Sequence, residues 1–199
     1  VFCSELKSLR GFPGFSAEVN RDALSALLRF NYIPDPWCIY RGLHKLPPGS
    51  LLTLRAPSDH PEPRRYWSLR KVITRGTQNP FQGSETEAID AFEALLKDVV
   101  GLRMIADVPL GAFLSGGVDS SLIVALMQAQ STRPVKTFTI GFHEKEHNEA
   151  EFAKDVAKHL GTEHTELYVS GQDALDVIPQ LPELYDEPFS DYSQIPTYL

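Results

Sequence analysis

"FLSGGVDSSL", residues Phe113–Leu122, decides how the chain is read. An apolar approach ends in two glycines, an aspartate and three serines, and apolar residues then resume, the pattern of a strand that turns sharply into a helix. Gly116 and Gly117 allow the backbone to approach a ligand without an intervening side chain. The amides that open the following helix carry partial positive charge, a site for phosphate. No lysine follows the glycines, so the GxxxxGK(S/T) loop that grips terminal phosphates is absent. The spacing is not GxGxxG either, which argues against a dinucleotide reader. Asp119 would repel an anion on its own, so its place here implies a bridging cation, with Mg²⁺ the expected ion. The plainer alternative is a helix start at which Asp119 and the serines act as caps.

Outward from this loop the chain alternates. "DVPLGAFL" (107–114) is an extended run, "SSLIVALMQAQ" (120–130) a helix, "VKTFTIGF" (135–142) a buried strand and "NEAEFAKDVAKHLG" (148–161) a helix with Asn148 and Glu151 as start signals and Gly161 as stop. "EHTELYV" (163–169) is a third strand, and the helical stretch after it is interrupted by Pro179 and Pro182. Such alternation predicts an α/β fold with a parallel sheet and right-handed crossovers. Just before it, "SETE" (84–87) is a capping box, and Ile89, Phe92, Leu95, Leu96, Val99 and Val100 recur at helical spacing, predicting a helix to about Met104.

Upstream, proline and turn residues dominate: "GFPGF", "YIPDPW", "KLPPGS". "VFCSELKSL" (1–9) reads as a strand running into a loop, and Leu24, Leu27 and Leu28 as the stripe of a short amphipathic helix. "SLLTLRA" (50–56) and "RRYWSL" (64–69) read as strands, and 71–83 as a surface linker between two bodies, giving divisions at 1–70, 71–83 and 84–199.

Composition narrows the function classes. With 199 residues, 42% apolar and 23% charged, the chain has the make-up of a folded soluble protein. A net charge of -7 argues against wrapping nucleic acid, and no apolar run is long enough for a membrane span. Two cysteines, Cys3 and Cys38, lack metal-ligand spacing and suit a reducing compartment; with no signal peptide, the cytoplasm is the expected location. The six histidines are scattered, and packing is the expected role of each. Because it starts at Val1 and stops at "QIPTYL", the chain is read as a piece of a longer protein.

"SGGVDSS" resembles the pyrophosphate loop of the ATP pyrophosphatases. "DVPLGAFLSGGVDSSLIVALM", "FTIGF" and "YDEPFSDYSQIPTYL" together resemble the asparagine synthetase B family, the glutamine-hydrolysing class. "VFCSELKSL" resembles the end of that family's glutaminase domain and "YIPDPWCIYRGLHKLPPGSLLTL" the segment that joins it to the synthetase domain.

The resemblance implies a parallel-sheet, adenine-nucleotide α-hydrolase-like (PP-loop ATP pyrophosphatase) domain over 84–199. Before it, over 1–70, comes the tail of an Ntn-type glutamine amidotransferase domain with its connector. It implies that Ser115, Gly116, Gly117, Asp119 and Ser120 cradle the phosphates of ATP, with Asp119 and Ser120 as catalytic residues and Asp119 supporting Mg²⁺. Leu114 and Ile140 match the positions that hold adenosine, although for Ile140 plain strand core is an equal reading. The implied reaction is attack of a carboxylate, by default aspartate, on the α phosphate to give an acyl-adenylate, then displacement of AMP by ammonia from glutamine. Partners would be small molecules only, with no nucleic acid and no membrane; whether the parent is a homodimer stays open. Asp186, Glu187 and Asp191 read either as a solvated acidic turn or as the mouth of the nucleotide site. The family's amino-terminal cysteine is not matched by Cys3 or Cys38, and its second nucleotide motif, SGxGxDE-like, is expected after Leu199, so the piece alone is expected to be inactive. Alternatives are another ATP pyrophosphatase, such as a tRNA-modifying or NAD-forming enzyme, and an inactive nucleotide-binding homologue.

Overall fold

The computed structural model describes residues 1–56, 59–143, 149–191 and 193–199. Two compact units are formed: Val1–Pro80 with Asp176–Leu199, and Phe81–Leu175.

In the first unit the opening residues, expected as a strand, form a 3-10 helix, Leu6–Gly11. The cause is distant in sequence. The Asp186 carboxylate accepts the Leu6 and Lys7 amides at 2.8 and 3.0 Å, satisfying donors that a helix start leaves open. Helix α1, Arg21–Phe30, starts at Asn20, whose side chain accepts the Asp22 and Ala23 amides, and stops at Asn31 in the left-handed region, φ 64°. Its inward face is Ala23 and Ala26 with Leu27 half-buried, not the leucine stripe: Leu24 is exposed and Leu28 is 80% exposed. Ile33, Cys38 and Ile39 pack onto Ala23 so closely that a methyl group fills the space.

The expected strands at 50–56 and 64–69 shrink to β1, Ser50–Leu51, and β2, Arg64–Arg65, paired antiparallel. The Asp59 carboxylate draws the Arg55 and Ala56 amides into a turn, at 2.7 and 3.0 Å, which takes the chain away from the ladder. Within 71–83, expected as a bare connection, lies most of helix α2, Leu69–Gln78, which buries no residue. Its Val72, Ile73, Thr74, Gly76 and Thr77 are weak helix formers, so neither propensity nor a buried stripe announces it.

The second unit follows the predicted alternation. Helix α3, Glu85–Arg103, carries the capping box: Ser84 Oγ accepts the Glu87 amide at 3.3 Å, and Glu87 accepts the Ser84 amide at 2.7 Å. Of the six apolar positions on α3, Val100 is buried and Leu96 packs beside it against Leu126 and Met127. Ile89, Phe92 and Leu95 remain more than half exposed, because that packing engages only the carboxyl-terminal half of α3.

Strand β3, Gly111–Phe113, leads to helix α4, Val118–Gln130, strand β4, Lys136–Phe142, helix α5, Ala150–Leu160, and strand β5, Glu163–Val169. The sheet order is β3-β4-β5 with both pairings parallel, Phe113 opposite Phe138 and Ile140 opposite Leu167. Leu114, Val124, Ala153 and Ala157 form the core between sheet and helices. Burial of Leu114 and Val124 contributes about 1.5–3 kcal/mol each. Helix α5 ends at Gly161 with φ 72°, as its stop signal implies. The expected start signal Asn148, and His147, lie outside the described residues.

The chain continues through helix α6, Gly171–Val177, a 3-10 turn, Ile178–Gln180, helix α7, Leu181–Leu184, and helix α8, Gln194–Tyr198. Pro179 and Pro182 open the pieces into which they divide the helical stretch, where their missing amides cost least. Among the described residues no helix is long and apolar enough to cross a membrane.

Candidate functional site

The loop between β3 and α4 is positioned by three fixed contacts. First, Leu114 is clamped from the neighbouring strand: its amide donates to the Phe138 carbonyl at 2.9 Å, and the buried Thr139 hydroxyl donates to the Leu114 carbonyl. With its side chain only 1% exposed, Leu114 anchors the loop from the core.

Second, Gly116 has φ +79° and lies against the start of α5, where an added Cβ would stand 2.7 Å from both the Ala153 nitrogen and the Phe152 Cβ. Only glycine meets both conditions. Third, the serines lace the turn. The Ser115 and Ser120 hydroxyls are 2.9 Å apart, the Gly117 amide donates to Ser115 Oγ at 3.3 Å, and Ser120 Oγ donates to the Gly117 carbonyl at 3.2 Å.

The serines are therefore occupied with the turn and do not cap α4. Gly117 occupies the cap position, no side chain caps the helix, and a helical bond is closed by the Ser121 amide onto the Gly117 carbonyl at 3.0 Å. The amides of Val118, Asp119 and Ser120 stand in the first turn, where an uncapped helix presents its positive end. Asp119 and Val118 are exposed, and Asp119 has no hydrogen bond or ion pair among the described residues. Ser121 Oγ is buried there and has no hydrogen-bond partner among the described residues.

The arrangement joins uncapped helix-opening amides, a chemistry suited to an anion, with one exposed carboxylate. Ser115, Gly116, Gly117, Asp119 and Ser120 are brought together as one turn, Leu114 sits beneath it, and Ile140 lies half-buried on the adjacent β4. Among the described residues no group of three His, Cys, Asp or Glu side chains forms a metal site. A Mg²⁺ ion held by substrate phosphates, waters and one carboxylate needs no such group, so Asp119 fits that role.

Thr139 and the first turn of α5 were not among the residues predicted for the site. A polar residue at an inward position of a buried strand is the signal for Thr139; no local signal marks Phe152 and Ala153. Helix α5 is held to the sheet by Lys154, 3.3 Å from Glu166 of β5. Burial alone would raise the Glu166 carboxyl, but the Tyr168 hydroxyl at 3.0 Å and Lys154 together hold it below its usual range.

His164 lies near the amino-terminal ends of β4 and β5, paired with Thr137, away from the loop. Its Nδ1 is 2.9 Å from Thr137 Oγ1, which is 2.9 Å from Thr162 Oγ1, and its Nε2 is buried with no hydrogen-bond partner among the described residues. Asp186 and Glu187 belong to the first unit and are bonded there. Asp191 accepts the Ser193 amide at 2.8 Å, which holds its carboxyl below the usual range.

Two family models match the chain. The model described as asparagine synthase matches residues 91–199, and that described as glutamine amidotransferase domain matches residues 1–67. Compactness and matching divide the chain differently, since residues 176–199 fall in the first match but in the compact unit that holds the second. A relative from Methanocaldococcus jannaschii is 33% identical over 201 residues, covering all of this chain and 38% of its own length. Asparagine synthetase 1 (glutamine-hydrolyzing) of Bacillus subtilis is 31% identical over 198 residues, 99% of this chain and 30% of its own length. The Bos taurus asparagine synthetase (glutamine-hydrolyzing) is 33% identical over 112 residues, 53% of this chain and 20% of its own length. The chain thus spans about a third of the length of the first two relatives.

Proposed function

The chain belongs to the asparagine synthase family, and from that premise we propose that its parent protein makes an amide from a carboxylate, ATP and glutamine, with aspartate as the default acid. The single observation that carries this is the β3-α4 turn, a serine-laced glycine loop at the carboxyl end of a parallel strand whose helix start no side chain caps. Ligands of open α/β sheets bind at such strand ends. On this reading residues 84–199 are the first part of a PP-loop ATP pyrophosphatase domain and residues 1–70 are the tail of an Ntn-type glutamine amidotransferase domain with its connector.

The chemistry asked of the turn is charge stabilisation. When a carboxylate attacks the α phosphate to give an acyl-adenylate, negative charge gathers on the departing pyrophosphate. The amides opening α4 and the Gly117 backbone face that charge, fixed in place before the reaction. Asp119 would hold Mg²⁺, which would supply Lewis-acid neutralisation of the phosphate oxygens. Thr139 and the start of α5 keep the turn from relaxing, and Ile140 offers apolar surface on the adjacent strand for adenosine. Ammonia then displaces AMP, a better leaving group than oxide.

The match of residues 1–67 to a glutamine amidotransferase domain favours this reading over other ATP pyrophosphatases. The test is carboxylate-dependent AMP release by the full-length parent, given ATP, Mg²⁺ and glutamine across a panel of acids. AMP and pyrophosphate with one acid support the proposal; release of ADP and phosphate instead would refute it.

A further inference from the structure

The acidic pair Asp186 and Glu187 lies in the region matched by the asparagine synthase model, yet every contact described for these carboxylates is to residues of the amidotransferase-matched region. A solvated acidic turn would show water-facing carboxylates. Here the Asp186 oxygens take two successive amides, Leu6 at 2.8 Å and Lys7 at 3.0 Å. The contact is reciprocal, since Lys7 Nζ donates to the carbonyls of Glu183 and Leu184 at 3.3 and 3.2 Å.

Glu187 is largely enclosed, its side chain 13% exposed. It accepts the Ile39 amide at 2.7 Å and pairs with Lys45, whose ammonium also donates to the Ile33 carbonyl at 2.6 Å. The Cys38 side chain is buried in the same region. The Ser190 amide donates to the Asn31 carbonyl at 2.7 Å, closing the segment. A carboxylate this enclosed is tolerated only when paired and fully hydrogen-bonded, and Glu187 is both.

Resting on the reading of two joined activities, we infer that residues 183–190 form a clasp by which the synthetase-matched region holds the amidotransferase-matched region, with Asp186 and Glu187 as positioning residues for coupled turnover. The partners gripped are mostly backbone amides and carbonyls, so the clasp fixes the course of residues 6–7 and 31–39 rather than recognising their side chains. Its purpose is to keep glutamine-derived ammonia delivered to the acyl-adenylate instead of lost to solvent. Neither carboxylate touches the reacting atoms.

The test uses the full-length parent with Asp186→Asn and Glu187→Gln, chosen because both keep an oxygen acceptor and the side-chain volume. In these variants glutamine-dependent AMP release should fall about tenfold, the effect of one charge-assisted hydrogen bond lost, while release driven by added ammonium stays within about twofold. Glutamine hydrolysis should then outrun AMP formation. Independently of any activity, hydrogen exchange at the Leu6 and Lys7 amides should quicken about tenfold in Asp186→Asn, as should that of Ile39 in Glu187→Gln. Equal loss of glutamine- and ammonium-driven synthesis, or unchanged exchange at these amides, would overturn the clasp. If the unaltered parent releases no AMP with any acid, the proposed function fails, and the exchange result alone decides the clasp.

Discussion

Gly116 meets Ala153 where the β3-α4 turn touches the first turn of α5: a Cβ on Gly116 would lie 2.7 Å from the Ala153 nitrogen. Positive φ and backbone proximity act together there. Gly116→Ala should therefore destabilise the protein by about 1–3 kcal/mol or displace α5. Gly117, with φ −71° and only Ser115 Oγ at 3.3 Å from an added Cβ, should accept alanine with little loss of stability. Urea unfolding of the two variants distinguishes them; equal effects would mean that the turn does not rest on α5 as described.

The capping box of α3 makes a pH prediction. Backbone and side-chain hydrogen bonds from Ser84 hold the Glu87 carboxyl below its ordinary value of 4.5. A depressed carboxyl contributes stability that is present above pH 4.5 and lost as pH falls through its lower folded value. Ser84→Ala should cost about 1 kcal/mol near neutrality. Its difference from the unaltered protein should shrink below pH 4, measured by thermal unfolding across pH; a difference that grows in acid would contradict the pairing.

The two thiols should behave differently. Cys3 is exposed and Cys38 is buried, and burial pushes the Cys38 thiol above its usual range, aided by the neighbouring Glu187. At pH 8 a disulfide-exchange reagent should modify one thiol of the chain rapidly and Cys38 only on a much slower timescale, because the thiolate is the reactive form. Two equally fast thiols would show that the core around Ile33 and Ile39 is open.

Helix α1 inverts an ordinary hydrophobic expectation. Leu28→Ala should change stability by no more than about 0.5 kcal/mol, whereas Ala23→Leu, placed where exposure is nil, should cost about 1–3 kcal/mol by overpacking. Thermal unfolding of both variants tests the assignment of the inward face.

The contrast also marks how much the sequence carries. The helix at Ser84, the strands of β4 and β5, the stop at Gly161 and the turn at Ser115–Ser120 were legible because each is written locally, in caps, alternation or glycine. Three features were not. The 3-10 helix at Leu6 depends on an acceptor at Asp186, α1 turns inward on alanine because Ile33 and Cys38 crowd it, and the turn is backed by Thr139 and by α5. Contacts between residues far apart in sequence decide each of them, and no local pattern announces such contacts. The acidic cluster was ambiguous for the same reason, since only the folded chain shows whose amides Asp186 and Glu187 accept.

The proposed role of the turn is tested most directly by Asp119→Asn in the full-length parent. Its side chain is exposed at the first turn of α4 and bonded to nothing among the described residues, so the change should leave folding intact. Release of AMP and pyrophosphate should fall by about 100-fold or more, while glutamine hydrolysis continues at the parent's rate. AMP release at the unaltered rate would contradict the assignment of this turn as the pyrophosphate cradle.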